Sequence, residues 1–156
     1  MAGLASVPGV QAVSSADANP LGRAWTHNFR VPGTEHETFE ATVTPVTDGF
    51  LETMRIPVRA GRAFSRSDLD PEGASAVIVN EAFASRYFGR EPSVGRTLDT
   101  RFGDDNSPSA HEIVGVVADT RYDLRKPAVP TIYIPLQLRT SGRLHIRVTG
   151  DPMAIA

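Results

Sequence analysis

The sequence predicts an α+β domain, with short helices packed on a mixed β-sheet. Three observations point there. "AVIV" at 76–79 and "EIVGVVAD" at 112–119 are near-continuous apolar runs, as strands covered on both faces would be. Other segments alternate apolar and polar residues with the period of a half-buried strand. Helical patterning is confined to short stretches, and 12 prolines and 13 glycines divide the chain into many small elements. The tally is about eight short strands and two complete helices.

The chain has 156 residues, enough for one domain with its own core, divisible into two lobes. Its residues are 40% hydrophobic and 22% charged, as in globular domains, and the net charge of −2 argues against a nucleic-acid surface. No run of about 18 apolar residues could span a membrane. "MAGLASVPGV" lacks the basic and long apolar regions of a signal peptide. Without cysteine the chain can form neither disulfides nor thiolate metal sites.

In chain order, "GLASVPGV" reads as the last turn of a helix over residues 4–7, stopped by Pro8-Gly9. "VQAVSSA" at 10–16 is a strand, followed by a polar loop through Asn19-Pro20. "HNFRV" and "FEATVTPV" are the next extended segments; in the second, Phe39, Ala41 and Val43 alternate with Glu40, Thr42 and Thr44. "TDGFLETMRI" predicts a helix capped by Thr47 or Asp48, with Phe50, Leu51 and Met54 on one face. Ile56-Pro57 ends it, because the residue before proline is pushed out of the helical region. "PVRAGRAF" is a short extended piece, and "SRSDLDPEGAS" at 65–75 is a turn-rich, solvated loop.

After "AVIV", Asn80 caps a helix, Glu81 suits its positive end, and Gly89 closes it in a left-handed conformation. So short a helix draws its stability from packing, so Phe83, Tyr87 and Phe88 are expected to be buried. "VGRTLDTRF" is a strand, "GDDNSPSA" at 103–110 an exposed hairpin loop, "RYDLRKPAVP" a loop and "TIYIPL" a strand. In "RLHIRVTG", Leu144, Ile146 and Val148 alternate with Arg143, His145 and Arg147, predicting a half-buried strand. Asp151 is a helix cap with Pro152 at the first helical position. Helical pieces this short cannot stand alone, so both ends are read as cuts through a longer polypeptide.

Candidate chemistry is thin. Phosphate sites at strand–helix corners need glycines so that backbone N–H groups can reach the anion, and "VNEAFA" has none. Gly115 and Asp119 in "IVGVVADTR" are too little for a dinucleotide fingerprint; a glycine at a close approach between backbones explains Gly115 better. Asp68 and Asp70 have the spacing of calcium ligands without the rest of the loop. His27, His36, His111 and His145 are dispersed, and no serine sits in a GxSxG elbow. No catalytic, cofactor-binding or metal-binding residue is therefore assigned. The basic stretch Arg55, Arg59, Arg62 and Arg66 reads as solvated or partner-facing.

The residues that carry a resemblance are spread along the whole chain. They are Phe50, Ile56-Pro57, Gly61-Arg62, Phe64, Asp68, Val79-Asn80-Glu81, Ala84, Arg86, Phe88, Pro92, Gly95, "IVGVV", Asp119, Arg121, Tyr133 and Pro135. In their order and spacing the sequence resembles the periplasmic core domain of MacB-like ABC transporter permeases, within the FtsX-type permease superfamily. The likeness covers residues from about 7 to 152; Asp48-Gly49 and Val94 depart mildly from the pattern.

The resemblance implies an extracytoplasmic, non-catalytic domain on the periplasmic side of a bacterial inner membrane. It would sit between two transmembrane helices and transmit the conformational change of a separate ATPase during export or efflux. The implied fold has a porter-like α/β part, residues 1–40 with 142–156, carrying a β-rich inserted lobe, residues 41–141. The implied partners are the permease's own transmembrane helices and an ABC ATPase, with a periplasmic adaptor protein and a permease dimer as further candidates; no cofactor is implied. Arg66, Asp68, Asp70, Glu72, Asp104 and Asp105, in two loops, are the candidate partner-facing residues. The alternatives are a peptide- or lipid-binding module and, more remotely, a small hydrolase.

Overall fold

A computed structural model of the chain describes residues 2–17, 25–33, 38–70, 76–100, 109–121, 125–136 and 142–150. Among these residues the elements run α1 (Ala2–Ala5), β1 (Val10–Ala16), β2 (Trp25–Phe29), β3 (Phe39–Val46), α2 (Phe50–Thr53), β4 (Val58–Gly61), a 3₁₀ turn (Arg66–Leu69) and β5 (Ala76–Asn80). There follow α3 (Glu81–Phe88), β6 (Thr97–Thr100), β7 (Ser109–Val117), β8 (Thr131–Pro135) and β9 (Arg143–Val148). The strands form one nine-stranded sheet in the order β4-β7-β5-β8-β3-β1-β9, with β2 beside β3 and β6 beside β7. The sheet is mixed: β5–β7 and β3–β8 are parallel, the other pairs antiparallel. The α+β architecture of the sequence reading is the one observed.

The apolar run of β5 is explained by its central position. Successive side chains of a strand point to opposite faces. Val77 and Val79 enter one core with Phe29, Val43, Phe83, Phe88 and Ile113, on the side covered by α3. Ala76 and Ile78 enter a second core with Val46, Phe50, Leu51, Phe64, Val117 and Tyr133, on the side covered by α2. In β7 the register shifts between Val77/Ile113 and Ile78/Gly115, so Val114 is an extra residue, a β-bulge. The bulge lets Ile113 and Val116 face the first core and Val114 and Val117 the second.

The bulge also brings β4 hard against β7. Gly61 pairs with Gly115. A Cβ on Gly115 would lie 2.2 Å from the Arg62 carbonyl oxygen, and one on Gly61 would lie 2.2 Å from that of Val114. Gly115 is thus the close-approach glycine that the sequence suggested.

Local expectations for α2, α3 and β9 are corrected. Neither Thr47 nor Asp48 caps α2: the N-cap is Gly49, with no side-chain cap bond. The Thr47 hydroxyl accepts instead from the Ser15 N–H at 3.0 Å, tying β1 to the end of β3. The helix stops at Thr53, before Ile56-Pro57, because Arg55 turns left-handed at φ 53°, so Phe50 and Leu51 are buried while Met54 swings outward, 42% exposed. In α3, Phe83 and Phe88 are buried as expected, but Tyr87 is only half-buried. Its ring packs edge-on against Phe29 at 5.1 Å, and its hydroxyl reaches the surface to donate to the Glu40 carbonyl at 2.6 Å. In β9 the apolar set does not face the core: Leu144 and Ile146 are 52% and 44% exposed, while His145 and Arg147 turn toward α2.

The β1–β9 pair hangs on the rest of the sheet by a narrow joint. β1 and β3 share the single register pair Ala16–Val46, flanked by the Thr47–Ser15 and Asp17–Pro45 backbone bonds, both 2.9 Å. β2 by contrast pairs along β3 through five residue pairs, from Trp25–Val43 to Phe29–Phe39.

Candidate functional site

The strand–helix corner after β5 is where an anion site would first be sought, and side chains close it. Asn80 is fully buried. Its Oδ1 accepts from the N–H groups of Phe83 at 3.0 Å and Thr131 at 2.9 Å, and its Nδ2 donates to the Val129 carbonyl at 2.9 Å. The Asp119 carboxylate takes the N–H of Ala82 at 2.8 Å, and Glu81 pairs with Arg59 at 3.5 Å. Two of the first-turn donors that could cradle an anion, the N–H groups of Ala82 and Phe83, are spent on Asp119 and Asn80. The corner ties α3 to β8 and to the end of β7.

The second constellation is the 3₁₀ turn. The sequence places Asp68 in a solvated loop; the structure buries it, 6% exposed. Arg62 donates to both carboxylate oxygens, at 2.6 and 3.0 Å, and the N–H and hydroxyl of Ser65 donate at 2.7 and 2.6 Å. The Arg62 bond and, secondarily, those of Ser65 hold the Asp68 carboxyl down at about 2 against the cost of burial. This clamp fixes the chain leaving β4. Arg66 and Asp70, on either side, are exposed. Glu72, Asp104 and Asp105 lie outside the described residues.

A cleft of about 360 Å³ lies beside α3, where Phe39, Glu40, Arg86, Tyr87, Val129 and Pro130 are among its lining residues. Of the histidines, His36 lies outside the described residues, and His27, His111 and His145 sit on three different strands. His111 Nε2 is 2.8 Å from the Ser109 hydroxyl, two residues away on the same strand, and burial lowers the proton affinity of this imidazole. Among the described residues no group of three or more His, Asp or Glu could hold a metal ion. No described helix is long and apolar enough to cross a membrane.

The surface that the sequence reading missed is the outer face of β9. β9 ends the sheet path, and Leu144 and Ile146 project from the side opposite α2, with Val13 of β1 directly across from Ile146. Periodicity identified the two sides of this strand but could not say which one is inward.

A family model for the MacB-like periplasmic core domain matches residues 2–154. No curated protein matches the sequence. Among solved structures, the fold is similar to the periplasmic region of MacB from Actinobacillus actinomycetemcomitans, with a TM-score of 0.65 at 15% identity over 96% of this chain and 63% of that one. The extracellular domain of the noncanonic ABC-type transporter YknZ from Gram-positive bacteria gives 0.63 at 19% identity, over 96% of this chain and 71% of that one. A permease-protein domain from Porphyromonas gingivalis gives 0.65 at 17% identity, over 98% and 69%. The chain therefore spans about two thirds of the length of these structures. The sealed strand–helix corner, the mixed sheet and the family match converge: this chain belongs to the MacB-like periplasmic core domains, the extracytoplasmic domains of ABC transporter permeases.

Proposed function

We propose that this domain is a mechanical element of the permease, carrying ATPase-driven movement of the membrane helices outward during export or efflux. The observation that carries this reading is the narrow joint between the β1–β9 pair and the main sheet, together with the apolar outer face of β9. The main body is packed on both faces of its central strands and resists deformation. A rigid body on a joint of few bonds rotates as a unit when its attachment is displaced. Leu144 and Ile146, exposed on the outer face of β9, are the attachment, an apolar pair for a neighbouring part of the permease to cover.

On this reading β1 and β9 belong to the porter-like part and β3 through β8 to the inserted lobe. We draw β2 into the lobe as well, which moves the first boundary from residue 40 to a point before Trp25, because β2 is paired along β3. The partners are the transmembrane helices of the permease and an ABC ATPase on a separate domain or subunit. A periplasmic adaptor or a second permease copy would meet the loops around Arg66 and Asp70.

The test is the double substitution Leu144→Lys, Ile146→Lys. In chain 1–156 the thermal midpoint is expected to shift by less than about 2 °C, because both side chains are exposed. In the assembled transporter, the coupling of ATP hydrolysis to transport is expected to fall. Unchanged coupling with a correctly assembled transporter would overturn the reading.

A second reading, a peptide- or lipid-binding module, is favoured by the cleft at Tyr87, where aromatic rings, Arg86 and the exposed Val129 lie together.

A further inference from the structure

His145 stands directly across from Ser14 in the β1–β9 pair. The Ser14 side chain is fully buried, and its Oγ and the His145 Nε2 are both buried without a hydrogen-bond partner among the described residues. Buried polar atoms are nearly always paired, so two orphans on facing residues are unusual. The imidazole packs edge-on against Phe50 of α2, with ring centroids 5.6 Å apart and planes at 83°. The next residue on the same side, Arg147, donates to the Thr53 carbonyl at the end of α2. The α2–β9 contact thus includes one aromatic pair and one arginine bond around an imidazole whose inner nitrogen is without a partner among the described residues.

A neutral imidazole is tolerated in that setting; a charged one is not. Among the described residues, the ionisable groups on the elements packed against it are few. Its own strand contributes Arg143 and Arg147, both cationic. β1, "VQAVSSA", contributes none. α2, "FLET", contributes only Glu52, which is exposed on the outer side while Phe50, Leu51 and Thr53 face inward. The nearest ring beyond Phe50 is the Tyr133 phenol, 6.3 Å from it. Whichever tautomer is neutral, protonation makes both ring nitrogens N–H donors, so the buried Nε2 becomes a donor with no acceptor within hydrogen-bond distance among the described residues, between two arginines.

We propose that His145 is an acid-sensitive latch on the α2–β9 joint: neutral, it holds α2 against the β1–β9 pair, and protonated, it releases it. Burial and, to a lesser degree, the charge of Arg143 lower its proton affinity from the ordinary value of 6.5, as the geometry requires. The sign follows from linkage. A histidine whose folded pKa lies below its unfolded one leaves stability intact above about 6.5 and withdraws it as the pH falls below that value, until the folded imidazole is itself protonated. Because the domain lies outside the cytoplasm, the pH it meets is that of the cell's exterior. The inference rests on that location and on the joint, and does not need the lever reading to hold.

The experiment is NMR on chain 1–156 in its wild-type form, following the His145 ring resonances and the amide exchange of residues 50–56 between about pH 7.5 and 5.5. The latch predicts a His145 midpoint below 6.5. It also predicts exchange at residues 50–56 that rises at least about fivefold in acid, after correction for intrinsic rates. His145→Gln keeps a polar side chain of similar reach without titrating, and should abolish that rise while leaving the pH response of His111 in place. A wild-type midpoint at or above 6.5 would overturn the latch, as would α2 exchange that does not respond to acid or responds equally in the variant. The wild-type titration decides the matter alone if the variant does not fold. Transport is not measured, so failure here would leave the mechanical reading of the domain untouched.

Discussion

The side chain of Asn80 accepts the backbone N–H of Thr131 at 2.9 Å, joining the start of α3 to the first residue of β8 across 51 positions of sequence. The same oxygen caps α3 at Phe83, and the same amide donates to Val129. Asn80→Ala would strand the buried N–H groups of Phe83 and Thr131 and remove one of the two donors to the Val129 carbonyl, which keeps the Thr131 hydroxyl at 3.0 Å. The expected loss is about 2–4 kcal/mol, the cost of a helix cap plus unsatisfied buried groups, read as a lower urea midpoint. Asn80→Asp should not rescue it, because it removes the donor to Val129 and buries a charge. A loss under about 0.5 kcal/mol for the alanine variant would show that the joint is unimportant.

Gly115→Ala is predicted to destabilise the domain by more than about 2 kcal/mol, since its methyl would meet the Arg62 carbonyl at 2.2 Å and only backbone movement can relieve it. Gly89→Ala is the control: Gly89 has a positive φ of 62°, which Gly115 does not, and a Cβ there meets nothing within 4 Å. Its cost should be that of backbone strain alone, about 1 kcal/mol. Thermal unfolding of the two variants side by side measures the difference, and equal losses would refute a close crossing of β4 over β7.

The Asp68 clamp predicts acid sensitivity of a defined sign. Its folded carboxyl sits near 2 against an ordinary value of 3.8, so the stability it confers is complete above about pH 4 and is lost as the pH falls through 2. Arg62 is half exposed, which screens the pair, and the contribution is on the order of 1–2 kcal/mol. Asp68→Asn should lose that amount at neutral pH and flatten the slope of stability between about pH 4 and 2. A variant with the same acid slope as wild type would assign the sensitivity elsewhere.

The aromatic cluster under α3 separates packing from hydrogen bonding. Phe83 is fully buried and has ring centroids 5.0 and 4.8 Å from those of Phe29 and Tyr87. Phe83→Ala should cost about 3–5 kcal/mol. Tyr87→Phe removes only the surface hydroxyl bond to Glu40 and should cost about 1 kcal/mol or less. Chemical denaturation of both variants checks the ratio, and similar losses would mean that the hydroxyl, and not the ring, holds α3 down.

The local elements were legible wherever pattern and packing agree. "AVIV" betrayed a two-sided strand because both of its faces meet apolar clusters, and Asn80 betrayed a cap because its short side chain has few other uses before a helix. Gly115 was readable as a point of close approach, though not which strand approached it. The cap of α2 misled because Thr47, an ordinary capping residue, was claimed by a partner 32 positions away. Asp68 misled for a different reason: its arginine is close in sequence, but the burial that makes the pair matter comes from the fold around it.

What the sequence determined by itself was the α+β class, the strand and helix segments and the family, because these depend on periodicity, caps and the order of motifs along the chain. What only the tertiary structure decided was direction: that β9 turns Leu144 and Ile146 outward and His145 inward, and that β1 meets β3 at a single residue pair. A two-residue period defines two faces of a strand equally well. Which of them is buried is settled only when another element, here α2, comes to lie against one of them.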